Sequence, residues 1–145
     1  MNIRVPKEAL QRTGQSSVPL SDEGGGYLAS LEVYHELHCV NLIRKHVYRE
    51  YYPNSQPMVK QLEHIDHCID ILRMLVMCKG NTSLMTYSWI EDYRKPWPDF
   101  RQDHVCRNFD QIDEWSRERH IPVQDLQGPI LMHPVYGVAW PADKI

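Results

Sequence analysis

No stretch of this chain approaches the roughly 18 consecutive apolar residues that a membrane-spanning helix needs. With a mean hydropathy of −0.53, that excludes a span within these residues. Positive charge is not in excess either: 16 Lys and Arg against 19 Asp and Glu leave a net charge of −3. No basic surface therefore speaks for a nucleic-acid partner. The opening Met1-Asn2-Ile3-Arg4-Val5-Pro6 is followed by no apolar h-region and does not read as a signal peptide. The unusual figures are eight histidines and four cysteines in 145 residues, a length that suits one domain of moderate core size.

The histidines are patterned. His35-Glu36-Leu37-His38-Cys39-Val40-Asn41-Leu42-Ile43-Arg44 lines up with His64-Ile65-Asp66-His67-Cys68-Ile69-Asp70-Ile71-Leu72-Arg73. Each copy is His-x-x-His-Cys, a mostly aliphatic stretch with one Asn or Asp, and an Arg. One such spacing arises readily by chance, but a doubled one points to a built site.

Taken in order, residues 1–26 read as a flexible N-terminal arm: Gly14-Gln15-Ser16-Ser17 and Gly24-Gly25-Gly26 bracket a polar segment with little to bury. Residues 28–52 are expected to form one helix, with His35, His38, Cys39, Leu42 and His46 on one face. Pro53-Asn54-Ser55 ends it, and a second helix is expected from Met58 to Lys79, stopped at Gly80-Asn81. Its stripe is His64, His67, Cys68, Ile71, Leu75 and Cys78. The short connection predicts that the two helices pack antiparallel. Leu84-Met85-Thr86-Tyr87-Ser88-Trp89-Ile90 suits a short strand or an extended loop, and residues 107–119 a third helix. From residue 122 to 145 the prolines, among them Pro129, Pro134 and Pro141, predict an irregular extension. The expected fold is mainly α: a small domain over residues 27–121 with two antiparallel motif helices, a third helix and long loops.

Residues three apart on a helix share a face, with side chains about 5–6 Å apart. His35 with His38, and His64 with His67, are thus two candidate metal-binding pairs. A durable catalytic site needs about three protein donors and an open position. His104, in His104-Val105-Cys106-Arg107, is the natural addition, while His46, His120 and His133 are spares. Imidazole suits zinc, copper, iron and nickel alike. Two histidine pairs on facing helices suit two copper ions sharing dioxygen as co-substrate; one structural zinc held by four histidines is the alternative.

The cysteines leave two accounts open. In an oxidising compartment Cys39 with Cys68 and Cys78 with Cys106 would form disulfides, the crossed pairings being alternatives; in the cytosol thiolate ligation is expected. The sequon Asn81-Thr82-Ser83 permits glycosylation in the secretory pathway. Tyr87, Trp89, Tyr93 and Trp97 either wall a substrate pocket or pack as core. Arg44 and Arg73 suit helix-surface pairing with carboxylates.

The doubled motif about thirty residues apart, the Arg after each copy, and the later His104-Val105-Cys106-Arg107 leading towards Trp115 resemble the fungal UstYa-like oxidases over residues 27–119. The resemblance implies an oxidoreductase of fungal secondary-metabolite biosynthesis, including mycotoxins. Such an enzyme acts on a peptide or other small natural product by oxidative cyclisation, dehydrogenation, hydroxylation or halogenation. It implies that His35, His38, His64 and His67 are catalytic, that copper is the metal, and that the protein acts in the secretory lumen. Members usually start with a membrane-spanning helix, and none precedes residue 27 here. A redox-neutral cyclase using the motif histidines as acid and base, or a non-catalytic domain with a structural metal, are the other expectations. A homodimer could complete so small a site.

Overall fold

The computed structural model describes residues 1–101, 103–126 and 128–138. The chain divides into two compact units, residues 1–38 with 108–145, and residues 39–107.

The first unit is built on a strand that local sequence did not reveal. β1 (Asn2–Val5) pairs antiparallel with β2 (Tyr27–Ser30), Ile3 opposite Ala29 and Val5 opposite Tyr27. On its other edge Arg4 N–H donates to the Arg119 carbonyl and Ile121 N–H to the Asn2 carbonyl, both at 2.9 Å. Burial alternates along β1 as strand geometry requires, so that Ile3 and Val5 are buried between half-buried neighbours. Between the strands lies α1 (Lys7–Thr13), which starts after Pro6 and stops at left-handed Gly14. Residues 1–26, expected as a flexible arm, are therefore folded into the unit. Leu20 joins Ile121, Leu126 and Leu131 in its apolar core, with Leu28 and Ile130 against them. The expectation failed because β1 is four residues long and stable only through partners at residues 27–30 and 119–121.

One ion pair locks this segment. Arg4 Nη1 donates to Asp22 Oδ1 at 2.7 Å and Nη2 to Oδ2 at 2.5 Å, while Nη1 also meets the Gly25 carbonyl. Gly26 (φ 80°) lets the backbone pass: a Cβ there would come within 2.9 Å of the Val5 carbonyl oxygen. The Arg4 guanidinium holds the Asp22 carboxyl below its ordinary value. A carboxylate with a depressed folded pKa adds stability above its ordinary pKa near 4, and that contribution fades as pH falls through the lower folded value. The wild type is thus expected to melt above Asp22→Asn at about pH 6, and the gap to close as the pH is taken below about 4. A gap that stays constant across this range would contradict the pairing.

α2 (Glu32–Val47) is shorter than the expected 28–52, because residues 27–30 are drawn into β2 and residues 48–51 turn. Its first turn is held within the unit by Tyr34, whose hydroxyl donates to Asp113 Oδ1 at 2.8 Å and whose ring meets Phe109 edge-on at 6.3 Å. Both partners lie on α4 (Phe109–Arg117). Asn108 caps that helix by accepting from Gln111 N–H at 3.2 Å, which trims it from the expected 107–119. The segment after Pro122, expected to be irregular, carries α5 (Val123–Leu126) and the small hairpin β5 (Met132–His133) with β6 (Gly137–Val138). Trp140 and Pro141, part of the same expectation, lie outside the described residues.

The second unit contains the remainder of α2 and α3 (Met58–Lys79), whose bounds match those expected. Gly80 ends α3 in the left-handed conformation, its N–H returning to the Val76 carbonyl at 2.9 Å. Leu42, His46 and Arg49 line one cleft with Ile65, Gln61 and Met58. The end of α2 and the start of α3 thus border the same cleft. The buried stripe of α3 is Ile65 and Cys68, flanked by half-buried Ile71, Leu72 and Leu75. His64, His67 and Cys78, expected on that stripe, are exposed. Beyond Gly80, β3 (Thr86–Ser88) pairs antiparallel with β4 (Trp97–Asp99), which makes the aromatic segment a hairpin.

Candidate functional site

Each His-x-x-His-Cys motif splits by burial. Cys39 and Cys68 are 0% exposed, whereas His35, His38, His64 and His67 are all exposed. Packing makes this division: the histidines share a helical face with the cysteine, but only the cysteine is covered by what packs against that face. On α2 the His35 and His38 rings are 6.4 Å apart between centroids and nearly parallel, at 15°. Two imidazoles are thus presented side by side, the form expected of a donor pair.

Cys39 and Cys68 meet inside the second unit without bonding. All four cysteines are free thiols, so neither the expected Cys39–Cys68 bridge nor a Cys78–Cys106 bridge is formed. Burial, together with a hydrogen bond to Cys39, pushes the Cys68 thiol up to about 12. A buried thiol held in the protonated form is inert, because the thiolate is the nucleophile. Cys78 and Cys106 are exposed. In native protein two thiols are expected to react quickly with a maleimide, and Cys39 and Cys68 only after unfolding. Fewer than four titratable thiols in unreduced, unfolded protein would restore the disulfide account.

His104 is exposed in the loop between β4 and α4. Among the described residues, no group of three His, Cys, Asp or Glu side chains lies close enough to hold one ion. The donor chemistry suits copper or zinc, and His35 with His38 presents two adjacent imidazoles. His46 is half-buried, while His120 and His133 are exposed. His133 is occupied locally, its Nδ1 accepting from the Val135 and Tyr136 N–H groups at 3.1 and 3.2 Å. Arg73 pairs with Asp70 at 2.7 Å, a helix-surface ion pair. Tyr87, Trp89, Tyr93 and Trp97 are 58%, 74%, 46% and 47% exposed and thus form no core.

Two features went unread in the sequence. The Tyr34–Asp113 bond fixes the turn of α2 that carries His35, and Arg117 holds Asp113 from the same helix at 2.5 Å. Those hydrogen bonds, Arg117's first and Tyr34's second, keep the Asp113 carboxyl below its ordinary value. The basic run Lys45, His46 and Arg49 at the end of α2 lines a cleft that also contains His64. The i, i+4 spacing of Lys45 and Arg49 was the available signal.

The family model described as "Mycotoxin biosynthesis protein UstYa" matches residues 1–119. The chain belongs to the UstYa family. The match starts at residue 1, so the β1–α1 segment lies within the family region. The UstYa family oxidase aprY of Aspergillus flavus is 33% identical over 125 residues, 80% of this chain and 37% of that protein. The UstYa family oxidase VicYb of Bipolaris victoriae is 38% identical over 93 residues, 64% of this chain and 81% of that protein. Transacylase cctO of Talaromyces islandicus, 32% identical over 124 residues, is covered to 40% while 73% of this chain is matched. The chain thus spans well under half the length of the longer relatives. No solved structure matches.

Proposed function

We propose that this UstYa-family chain is an oxidase of fungal natural-product biosynthesis, using copper at His35, His38, His64 and His67 to oxidise a peptide or other small metabolite. The observation that supports this reading is the split of both motifs: imidazoles exposed, adjoining cysteines buried. Both copies of a repeated spacing place their imidazoles at the surface, whereas their cysteines are engaged in the core. When bound, copper would supply one-electron chemistry with dioxygen as co-substrate. The protein's own part is to present imidazole nitrogens in pairs. The Tyr34–Asp113 bond fixes the rotation of α2, and thereby the face on which His35 stands. His104, exposed in its loop, is proposed as a further donor. Among the described residues no helix is long and apolar enough to cross a membrane; action in the secretory lumen remains part of the proposal.

The test is copper stoichiometry after reconstitution, followed by oxygen uptake with ascorbate. About two coppers per chain with uptake supports the oxidase; one tightly held zinc without uptake rejects it.

A second reading is favoured by one observation, the relative named as a transacylase. In that case the exposed imidazoles would move protons in an acyl transfer, as general base to the attacking group and general acid to the leaving group. Turnover that persists without oxygen and in the presence of a chelator would select it.

A further inference from the structure

The cleft where α2 gives way to α3 has a lining chemistry that the motif alone does not explain. Its volume is about 660 Å³, within the ordinary range for small-molecule sites. Lys45 lines it from α2, His64 from α3, and Arg49, Tyr51 and Tyr52 from the connection. No Asp or Glu lines it, although the chain as a whole carries 19 acidic against 16 basic side chains. The acids nearest in sequence are Glu50, Glu63 and Asp66; Glu63 is taken by Lys60 at 2.9 Å. Among the described residues no ion pair engages Lys45 or Arg49. Lys45 Nζ sits 5.9 Å from the centre of the Tyr52 ring, and Tyr51 meets Tyr52 edge-on at 4.8 Å.

We propose that this cleft binds a carboxylate-bearing, aromatic or amide-rich substrate and holds it beside His64. Arg49 offers the planar fork that matches a carboxylate in two parallel hydrogen bonds, and Lys45 adds a point charge. Tyr51 and Tyr52 present ring faces to an aromatic or peptide plane. Half-buried Leu42 and buried Ile65 form an apolar floor. The ligand class that satisfies all of these is a peptide or amino-acid derivative with a free carboxylate. The inference rests on the reading of His64 as part of the reactive pair, and it names what that pair would act on.

The probes are N-acetyl-L-tyrosine and its uncharged counterpart N-acetyl-L-tyrosinamide, titrated into the full chain by NMR. The acid is expected to bind about tenfold more tightly than the amide, the worth of one charge-assisted hydrogen bond. Resonances of Arg49, Tyr51, Tyr52 and His64 should shift, and the preference should weaken with salt. Lys45→Gln and Arg49→Gln, at an exposed helix end, are expected to keep the helical circular dichroism. They should bring the acid down to the level of the amide and leave amide binding unchanged. Equal affinity for the two probes, a preference that survives both substitutions, or shifts that map away from the cleft would each overturn the proposal. The titration reads binding and not turnover. Loss of the oxidase reading with the acid preference intact would remove only the copper chemistry, and the converse only the carboxylate site.

Discussion

His35→Ala and His64→Ala are each expected to lower copper affinity and oxygen uptake by at least about a hundredfold while leaving the helical circular dichroism unchanged. Removal of a group that merely supports a ligand typically loses 10–100-fold in metal affinity, so removal of a ligand should lose at least the upper figure. The fold is expected to survive because both side chains are exposed, and exposed substitutions usually stay within about 0.5 kcal/mol. The same motifs contain the control. Cys39→Ser and Cys68→Ser place a hydroxyl where a 0% exposed thiol packs; they are expected to lower the melting temperature even in protein that still binds copper. Copper binding and oxygen uptake at wild-type levels in both histidine variants would sink the metal reading, and unfolding of both would make the histidines structural.

Ile3→Ala is expected to cost the first unit about 2–5 kcal/mol, the usual range for truncating a buried Ile or Leu. Ile3 is 1% exposed and stands opposite both Ala29 and His120. Its side chain is therefore packed at the centre of three neighbouring segments that are distant in sequence. Amide exchange should report the loss at Leu28, Arg4 and Ile121, whose N–H groups are engaged in this region, with smaller effects on α3. Deleting residues 1–26 should go further, because it also removes Leu20 from the core formed with Ile121, Leu126 and Leu131. A flexible arm would make both changes silent, so an unaltered exchange pattern would reinstate that reading.

How much was legible follows from the range of the interaction that decides each feature. α3 was read to the residue because its determinants are local: Pro57 before the first turn, an apolar period through Ile65, Cys68 and Leu75, and Gly80 after the last. Residues 28–30 were misread as helix because their strand is specified by Asn2–Val5, more than twenty positions away. The aromatic segment 84–90 could be left only as strand or loop, since β3 depends on a partner that starts after Pro96 and itself contains Pro98. Among the candidate site residues, spacing singled out the four motif histidines. It also grouped them with Cys39 and Cys68 as one set, and burial then divided that set.

By itself, the sequence determined the repeated His-x-x-His-Cys spacing, the α3 boundaries and the family, because each is carried by residues a few positions apart or by their order along the chain. Only the tertiary structure decided that residues 1–26 belong to a core, that the motif cysteines meet as buried free thiols while the histidines stay exposed, and that Lys45 and Arg49 share a cleft with His64. A helical period shows that two residues lie on one side of a helix. Which part of that side is buried depends on the element packed against it, and no local pattern records that.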